Sequence, residues 1–156
     1  MSHRLSSLLR ALYQAPGWIY RLGLGPILGR RFLALTHLGR RSGRPHTTVL
    51  EVIEFDADTT ESIVMSAYGA KADWYRNIEV NSAVRVRTGR FDYLPQHRFL
   101  SPEEAQEIAE EFCARHPWEA RLVPRVLPAI GAAVGDESDP AAMLGSLPIV
   151  GLRPKD

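Results

Sequence analysis

The order of strand-like and helix-like stretches constrains this chain more than any single residue does. "RFLALTHL", "TTVLEVIEF", "ESIVMSAY", "AVRVRTG", "RFDYLPQHRFL" and the closing "LPIVGLRP" are short, largely apolar and rich in β-branched or aromatic residues, the composition of strands. One helical stretch stands among the first five, in "AKADWYRNIEV". There Ala70, Trp74 and Ile78 recur every four residues and share a helical face. Strands that do not alternate regularly with helices cannot build a doubly wound parallel sheet. The pattern implies an α+β fold, a mainly antiparallel barrel with helices appended at both ends.

The remaining stretches fill in that outline. In "AVRVRTG" the alternation puts Ala83, Arg85 and Arg87 on one face and Val84 and Val86 on the other, a half-buried strand. Pro95 marks an edge or a bend. Ser101, Pro102 and Glu104 form a capping-box pattern that opens a helix, with Ile108, Ala109 and Phe112 on its buried face. Residues 117–130 read as short helical pieces broken by Pro117, Pro124 and Pro128, and "GDESDPAAMLG" as a loop or a helical turn. At the other end, Leu5, Leu8, Leu9 and Leu12 follow the spacing of an amphipathic helix over 3–14, closed by Pro16 and Gly17. The expected division is an N-terminal helix and linker over 1–28 and a barrel over 29–156.

A chain of 156 residues, 45% hydrophobic, fits one domain with a sizeable core. Its single cysteine, Cys113, excludes an internal disulfide and a cysteine-based zinc site. Cys113 sits among Phe112 and Ala109 and reads as a small buried hydrophobe. The five histidines lack ligand spacing, so no metal site is expected. There is no run of eighteen apolar residues and no secretory signal pattern, which leads to an expected cytoplasmic location. The acid-free N-terminal stretch, with its leucines, Trp18 and Tyr20, is also composed like an interfacial helix. Peripheral membrane contact through residues 1–25 therefore stands beside the preferred reading, packing on the barrel or covering a pocket.

Charge narrows the partner. Residues 1–50 carry eight arginines and no acid, a charge of +8, while the rest of the chain carries −7. That asymmetry suggests an anionic partner near the first third of the chain. Seventeen of the nineteen basic residues are arginine, which suits bidentate phosphate or carboxylate binding, though a coding bias would look the same. No aromatic residues interleave with the basic turn to stack bases, which argues against nucleic acid.

Two stretches could carry chemistry. In "GRRSGRP" (39–45), Arg40, Arg41 and Arg44 could grip an anion, the Ser42 hydroxyl adds a donor, and Gly39 and Gly43 permit close backbone approach. The alternative is an exposed basic loop that keeps a strand edge soluble. His46 lies just past the turn. In "SAYGAKADWYRNI", Ser66, Tyr68 and Lys71 gather at a strand-to-helix junction, where a helix N-terminus favours negative charge. Trp74 offers either a wall for a flat ring or core packing. "GLGPILG" lacks the spacing of a dinucleotide fingerprint, and neither a Walker A sequence nor a GxSxG elbow is present.

Together, "LTHLGRRSGRPHTTVL" and "SAYGAKADWYRNIEVNSAVRVRTG" resemble the deazaflavin-dependent nitroreductase family, over about residues 30–91 plus the closing strand. The resemblance implies a split β-barrel of the FMN-binding type and coenzyme F420 as cofactor, with FMN as the lesser alternative. It places Arg40, Arg41, Ser42 and Gly43 on the coenzyme's phosphate and acidic tail, Thr47, Thr48 and Val49 along the deazaflavin ring, and Ser66, Ala67 and Trp74 at the ring's edge. Arg44, His46 and Lys71 join these as candidate binding residues. His46 stands where relatives often carry arginine, and Ser82 where proline is usual. The implied reaction is hydride transfer from the reduced ring to an electron-poor acceptor: a quinone, an activated alkene or a nitro compound. Ser66 and Tyr68 are the candidate catalytic donors. The rivals are a coenzyme- or lipid-binding protein without turnover, and an FMN enzyme on the same fold. A homodimer is the expected assembly.

Overall fold

The computed structural model describes residues 29–129, 131, 132, 134 and 138–156. The N-terminal helix over 3–14, the 1–28 segment and the membrane contact assigned to it lie outside these residues. Seven strands form the body: β1 Phe32–Leu38, β2 Pro45–Asp56, β3 Glu61–Met65, β4 Arg85–Thr88, β5 Phe91–Tyr93, β6 Pro95–Phe99 and β7 Ile149–Pro154. Every pairing is antiparallel, in the order β5-β4-β1-β2-β3-β7-β6. The two outermost strands are joined in the chain by the single residue Leu94. The sheet therefore curls into a nearly closed barrel. A bulge between Val52 and Glu54 in β2 bends that long strand, as an unpaired extra residue does.

Among the described residues, five helices accompany the barrel: α1 Asp73–Val80, α2 Pro102–Arg115, α3 Pro117–Ala120, α4 Val123–Ala129 and α5 Pro140–Gly145. The capping box at Ser101 is complete, with the hydroxyl accepting from the Glu104 amide and the Glu104 carboxylate accepting from the Ser101 amide. The proline-broken segment forms α3 and α4 as short pieces, and "DPAAMLG" adds α5. Residues 69–71 form one 3-10 turn before α1.

The strand period decides what is inside. Leu33 and Leu35 of β1, Leu50 of β2, Val64 of β3, Val86 of β4, and Val150 and Leu152 of β7 form one buried cluster with Trp74 and Ile78 of α1. The outer face around Ile53, Ile63 and Ile149 is covered by Ala105 and Ile108 of α2. Ala109 of α2 packs with Leu127 of α4 and Met143 and Leu144 of α5, and Cys113 lies against this group. Burial raises the Cys113 thiol pKa, as expected for a thiol among apolar side chains.

One strand assignment is corrected. β4 begins at Arg85, so strict alternation does not hold at its start. Val84 is exposed, while Ala83 is buried beside Val86. Val84 lies in the irregular run before the strand, where its amide donates to the Thr36 carbonyl. That run does not follow the pleat, so period-2 logic does not reach it.

A buried carboxylate ties the far side of the barrel. Glu61 is paired bidentately with Arg98, at 2.8 and 2.9 Å, and Arg98 also reaches Glu104 at 2.9 Å. A Cβ on Gly151 would lie within 2.4 Å of Glu61 Oε1. Gly151→Ala is therefore expected to destabilise the protein by about 1–3 kcal/mol, measured by urea unfolding.

Candidate functional site

The hairpin β1–β2 builds the site. Its register pairs Leu35 with Thr48, Thr36 with Thr47, His37 with His46 and Leu38 with Pro45. Because side chains alternate, Leu33, Leu35, His37, His46, Thr48 and Leu50 share one face. The inward stripe thus changes from leucine to polar residues as it nears the turn. His37 and His46 stack at 5.9 Å between ring centroids, with the planes 25° apart. Thr36 and Thr47 meet on the other face, with hydroxyls 3.1 Å apart.

The six residues 39–44 close the hairpin. The Gly39 amide donates to the Arg44 carbonyl and the Gly43 amide to the Gly39 carbonyl, each at 2.8 Å. Gly43 has φ +65°, a region that costs other residues energy. A Cβ on Gly39 would lie 2.5 Å from Ser42 Oγ and 3.2 Å from His46 Nε2, so a larger residue there would make the Ser42 side chain shift.

Helix α1 crosses beside the turn. Its Trp74, Asn77 and Ile78 point inward. Asn77 Oδ1 accepts from both the backbone amide and Nη1 of Arg40, each at 3.0 Å, and Arg40 Nη1 also reaches Asp73 Oδ1 at 3.0 Å. Between turn and helix lies a cavity of about 430 Å³. It is lined by His37 of β1, by Gly39, Arg40, Arg41 and Ser42 of the turn, by His46, Thr47 and Thr48 of β2, and by Asp73, Trp74 and Asn77 of α1. A second, apolar cavity of about 180 Å³ lies at the opposite end of β1. There Arg30 sits over the Phe55 and Phe91 rings at 4.1 and 4.5 Å.

The larger cavity gathers most of the expected site residues. Arg40, Arg41, Ser42, His46, Thr47, Thr48 and Trp74 line it. Gly43 and Arg44 shape the turn behind them, and Val49, Ala67, Lys71 and Tyr68 fall outside the lining. Arg40 is already held by Asp73 and Asn77, so it anchors the turn to α1. Arg41 is exposed and forms no ion pair among the described residues, leaving its charge available. Trp74 is 7% exposed and packs in the core as well as facing the cavity.

Ser66, expected as a donor, lies outside the cavity lining. Ser66 is 1% exposed and its hydroxyl donates to the Gly69 carbonyl at 2.7 Å, turned into the junction it stabilises. Tyr68 is 53% exposed. Three cavity residues escaped the sequence reading: His37, Asp73 and Asn77. The period of β1 could have placed His37 in line with Leu33 and Leu35. The i, i+3 spacing from Trp74 could have placed Asn77 on the same face.

The chain matches the model of the F420H(2)-dependent quinone reductase family over residues 16–117. That is most of the chain, so it belongs to this family of oxidoreductases, and coenzyme F420 is its cofactor. Solved structures share the fold. A structure of an F420-H2 dependent reductase is 18% identical, with a TM-score of 0.53, over 80% of this chain and 96% of its own. A structure described as a domain-swapped dimer is 18% identical, with a TM-score of 0.54, over 81% of this chain and 83% of its own. An FMN-binding protein from Nostoc punctiforme, related to pyridoxamine 5'-phosphate oxidase, is 14% identical, with a TM-score of 0.50, over 88% and 78%. No curated protein sequence matches the chain. The fold is thus the expected split barrel. The cavity also fits the coenzyme's chemistry, with a cationic turn for an anionic tail and a flat, partly apolar wall at Trp74 for a ring.

Burial and the neighbouring His46 lower the His37 pKa from 6.5 to about 4, against a smaller opposing effect of Asp73. His37 is therefore neutral in the folded protein near pH 7. Between pH 4 and 6.5 the unfolded chain binds a proton at this ring and the folded one does not. The stability this neutral ring contributes is full above pH 6.5 and falls as pH drops toward 4, by at most about 3 kcal/mol. Urea unfolding at pH 7 and pH 4.5 is expected to show a smaller loss in His37→Gln than in the wild type.

Proposed function

We propose that this protein transfers a hydride from reduced coenzyme F420 to a quinone or a similarly electron-poor acceptor bound beside it. The observation that carries the reading is the single cavity in which an unpaired Arg41, the flat face of Trp74 and the Thr48 hydroxyl converge. Bound there, reduced F420 supplies the hydride. The protein supplies placement, holding the reacting carbons in near-attack geometry. Arg41 and Ser42, with the backbone of the turn around Gly43, hold the anionic tail, with Arg44 and Lys71 adding positive charge nearby. Arg40 keeps the turn against α1. Thr48 and the strand backbone at Thr47 lie along the ring, and Trp74 forms its wall. A quinone gains a hydride and a proton in becoming a hydroquinone, and the exposed Tyr68 hydroxyl is the candidate proton source.

The family's name favours a quinone over an activated alkene or a nitro compound. We also infer a homodimer, in keeping with the dimeric neighbour of the same fold; light scattering of the purified protein at twice the chain mass is the expected result.

Fluorescence titration with F420, and with FMN in parallel, tests the reading. F420 is expected to bind and FMN not to bind. Arg41→Ala is expected to weaken F420 binding about tenfold, the range of one charge-assisted contact. Purified protein is expected to oxidise reduced F420 with menadione. Tyr68→Phe should lower kcat more than it weakens coenzyme binding, and an unchanged kcat would remove the proposed role. Binding without turnover would leave a carrier protein, and a yellow protein holding FMN would replace the cofactor.

A further inference from the structure

The hydrogen bonds beneath the cavity have a direction. Arg40 N and Nη1 can only donate, and both lie 3.0 Å from one atom of the Asn77 amide. That atom is therefore the oxygen. The nitrogen of the same amide can only donate, and it lies 3.0 Å from His37 Nδ1. Nδ1 must then accept, and a neutral imidazole that accepts at Nδ1 carries its proton on Nε2. Nε2 lies 3.2 Å from Thr48 Oγ1, so the threonine oxygen accepts there and its own proton points elsewhere. His37 is 3% exposed and Asn77 4% exposed, so water does not compete for these bonds. Thr48 is the member of the chain whose hydroxyl proton remains to be given, and it lines the cavity.

We propose that Asn77, acting through His37, makes the Thr48 hydroxyl a one-way donor into the cavity, so that the site selects a ligand with a hydrogen-bond acceptor, a ring carbonyl oxygen, at that position. This rests on the reading that the cavity takes a flat heterocycle, and it deepens that reading by naming the group recognised. Asn77 and His37 are positioning residues in this arrangement, and Thr48 is the residue that touches the ligand. The direction originates at Arg40, which is held by Asp73 on the far side. Turn, helix and both strands thus take part in setting one proton's orientation. A ligand presenting a donor at the same point would leave a buried donor unmatched, which costs more than one hydrogen bond contributes.

The test has two arms. In the first, the His37 ring tautomer is read by nitrogen-15 NMR of the ligand-free protein at pH 8.5. The wild type is expected to carry the proton on Nε2. In Asn77→Asp the amide donor is replaced by a carboxylate oxygen that still accepts from Arg40, so the proton is expected to move to Nδ1. A wild-type ring protonated on Nδ1, or an Asn77→Asp ring that keeps its Nε2 proton, overturns the proposal. In the second arm, oxidised F420 is titrated by fluorescence. Thr48→Val is expected to weaken binding about three- to tenfold, the range of one neutral hydrogen bond, and Thr48→Ser to restore it. Asn77→Asp is expected to weaken binding on its own and to add nothing to Thr48→Val. Wild-type affinity in Thr48→Val, alongside weakened binding in Arg41→Ala, would overturn the donor role while leaving the coenzyme reading intact. No F420 binding by the wild type would overturn the coenzyme reading and the ligand half of this proposal together, with the NMR arm still deciding the direction of the chain. Thr48→Val leaves the Asn77–His37 contact in place, so it serves if Asn77→Asp does not fold.

Discussion

The antiparallel register of β1 and β2 is the constraint from which the rest follows. It sets His37 opposite His46 and Leu35 opposite Thr48. The pleat has a period of two, so a slip of one residue would turn Leu33, Leu35 and Leu50 out of the core and His37 and Thr48 out of the site together. Core and site are therefore specified by the same pairing. The apolar part of the stripe, with all three leucines buried, resists any slip and so holds the polar part in place.

The turn completes what the register begins. Gly39 leaves room for the Ser42 and His46 side chains where a Cβ would crowd them, and the hairpin delivers Arg40 to Asn77 and Asp73 on α1. The helix is itself held by Trp74 and Ile78 in the barrel core. Its polar face is thus aimed by its apolar one. The arginine-rich turn divides its labour, with Arg40 used for construction and Arg41 left exposed at the cavity. The charge count along the chain could not make that distinction.

Family and fold speak to different parts of this molecule. The family match spans β1 to α2 and the site, whereas structural neighbours at 14–18% identity share the barrel path alone. An FMN-binding relative of similar shape shows that the barrel does not choose the cofactor by itself. The choice falls to the side chains carried on the barrel.

Much of the architecture was legible in the residues. The run of β-branched stretches, the capping box at Ser101 and the prolines of 117–128 each act through near neighbours in the chain, and each element formed where those neighbours required it. The start of β4 did not follow, because Val84 lies outside the pleat and the alternation rule has no hold there. The candidate site was half legible: glycine and arginine types name a tight cationic turn, since backbone freedom and charge are properties of residues. Which arginine is free, that Ser66 turns inward to Gly69, and that His37 is a neutral donor depend on partners 3 to 40 residues away. By itself the sequence determined the antiparallel barrel, the glycine turn and its positive charge, because these follow from local sterics, side-chain period and composition. Only the tertiary structure decided which polar groups are spent on one another and which remain for a ligand, because a hydrogen bond's direction is set by every partner around it.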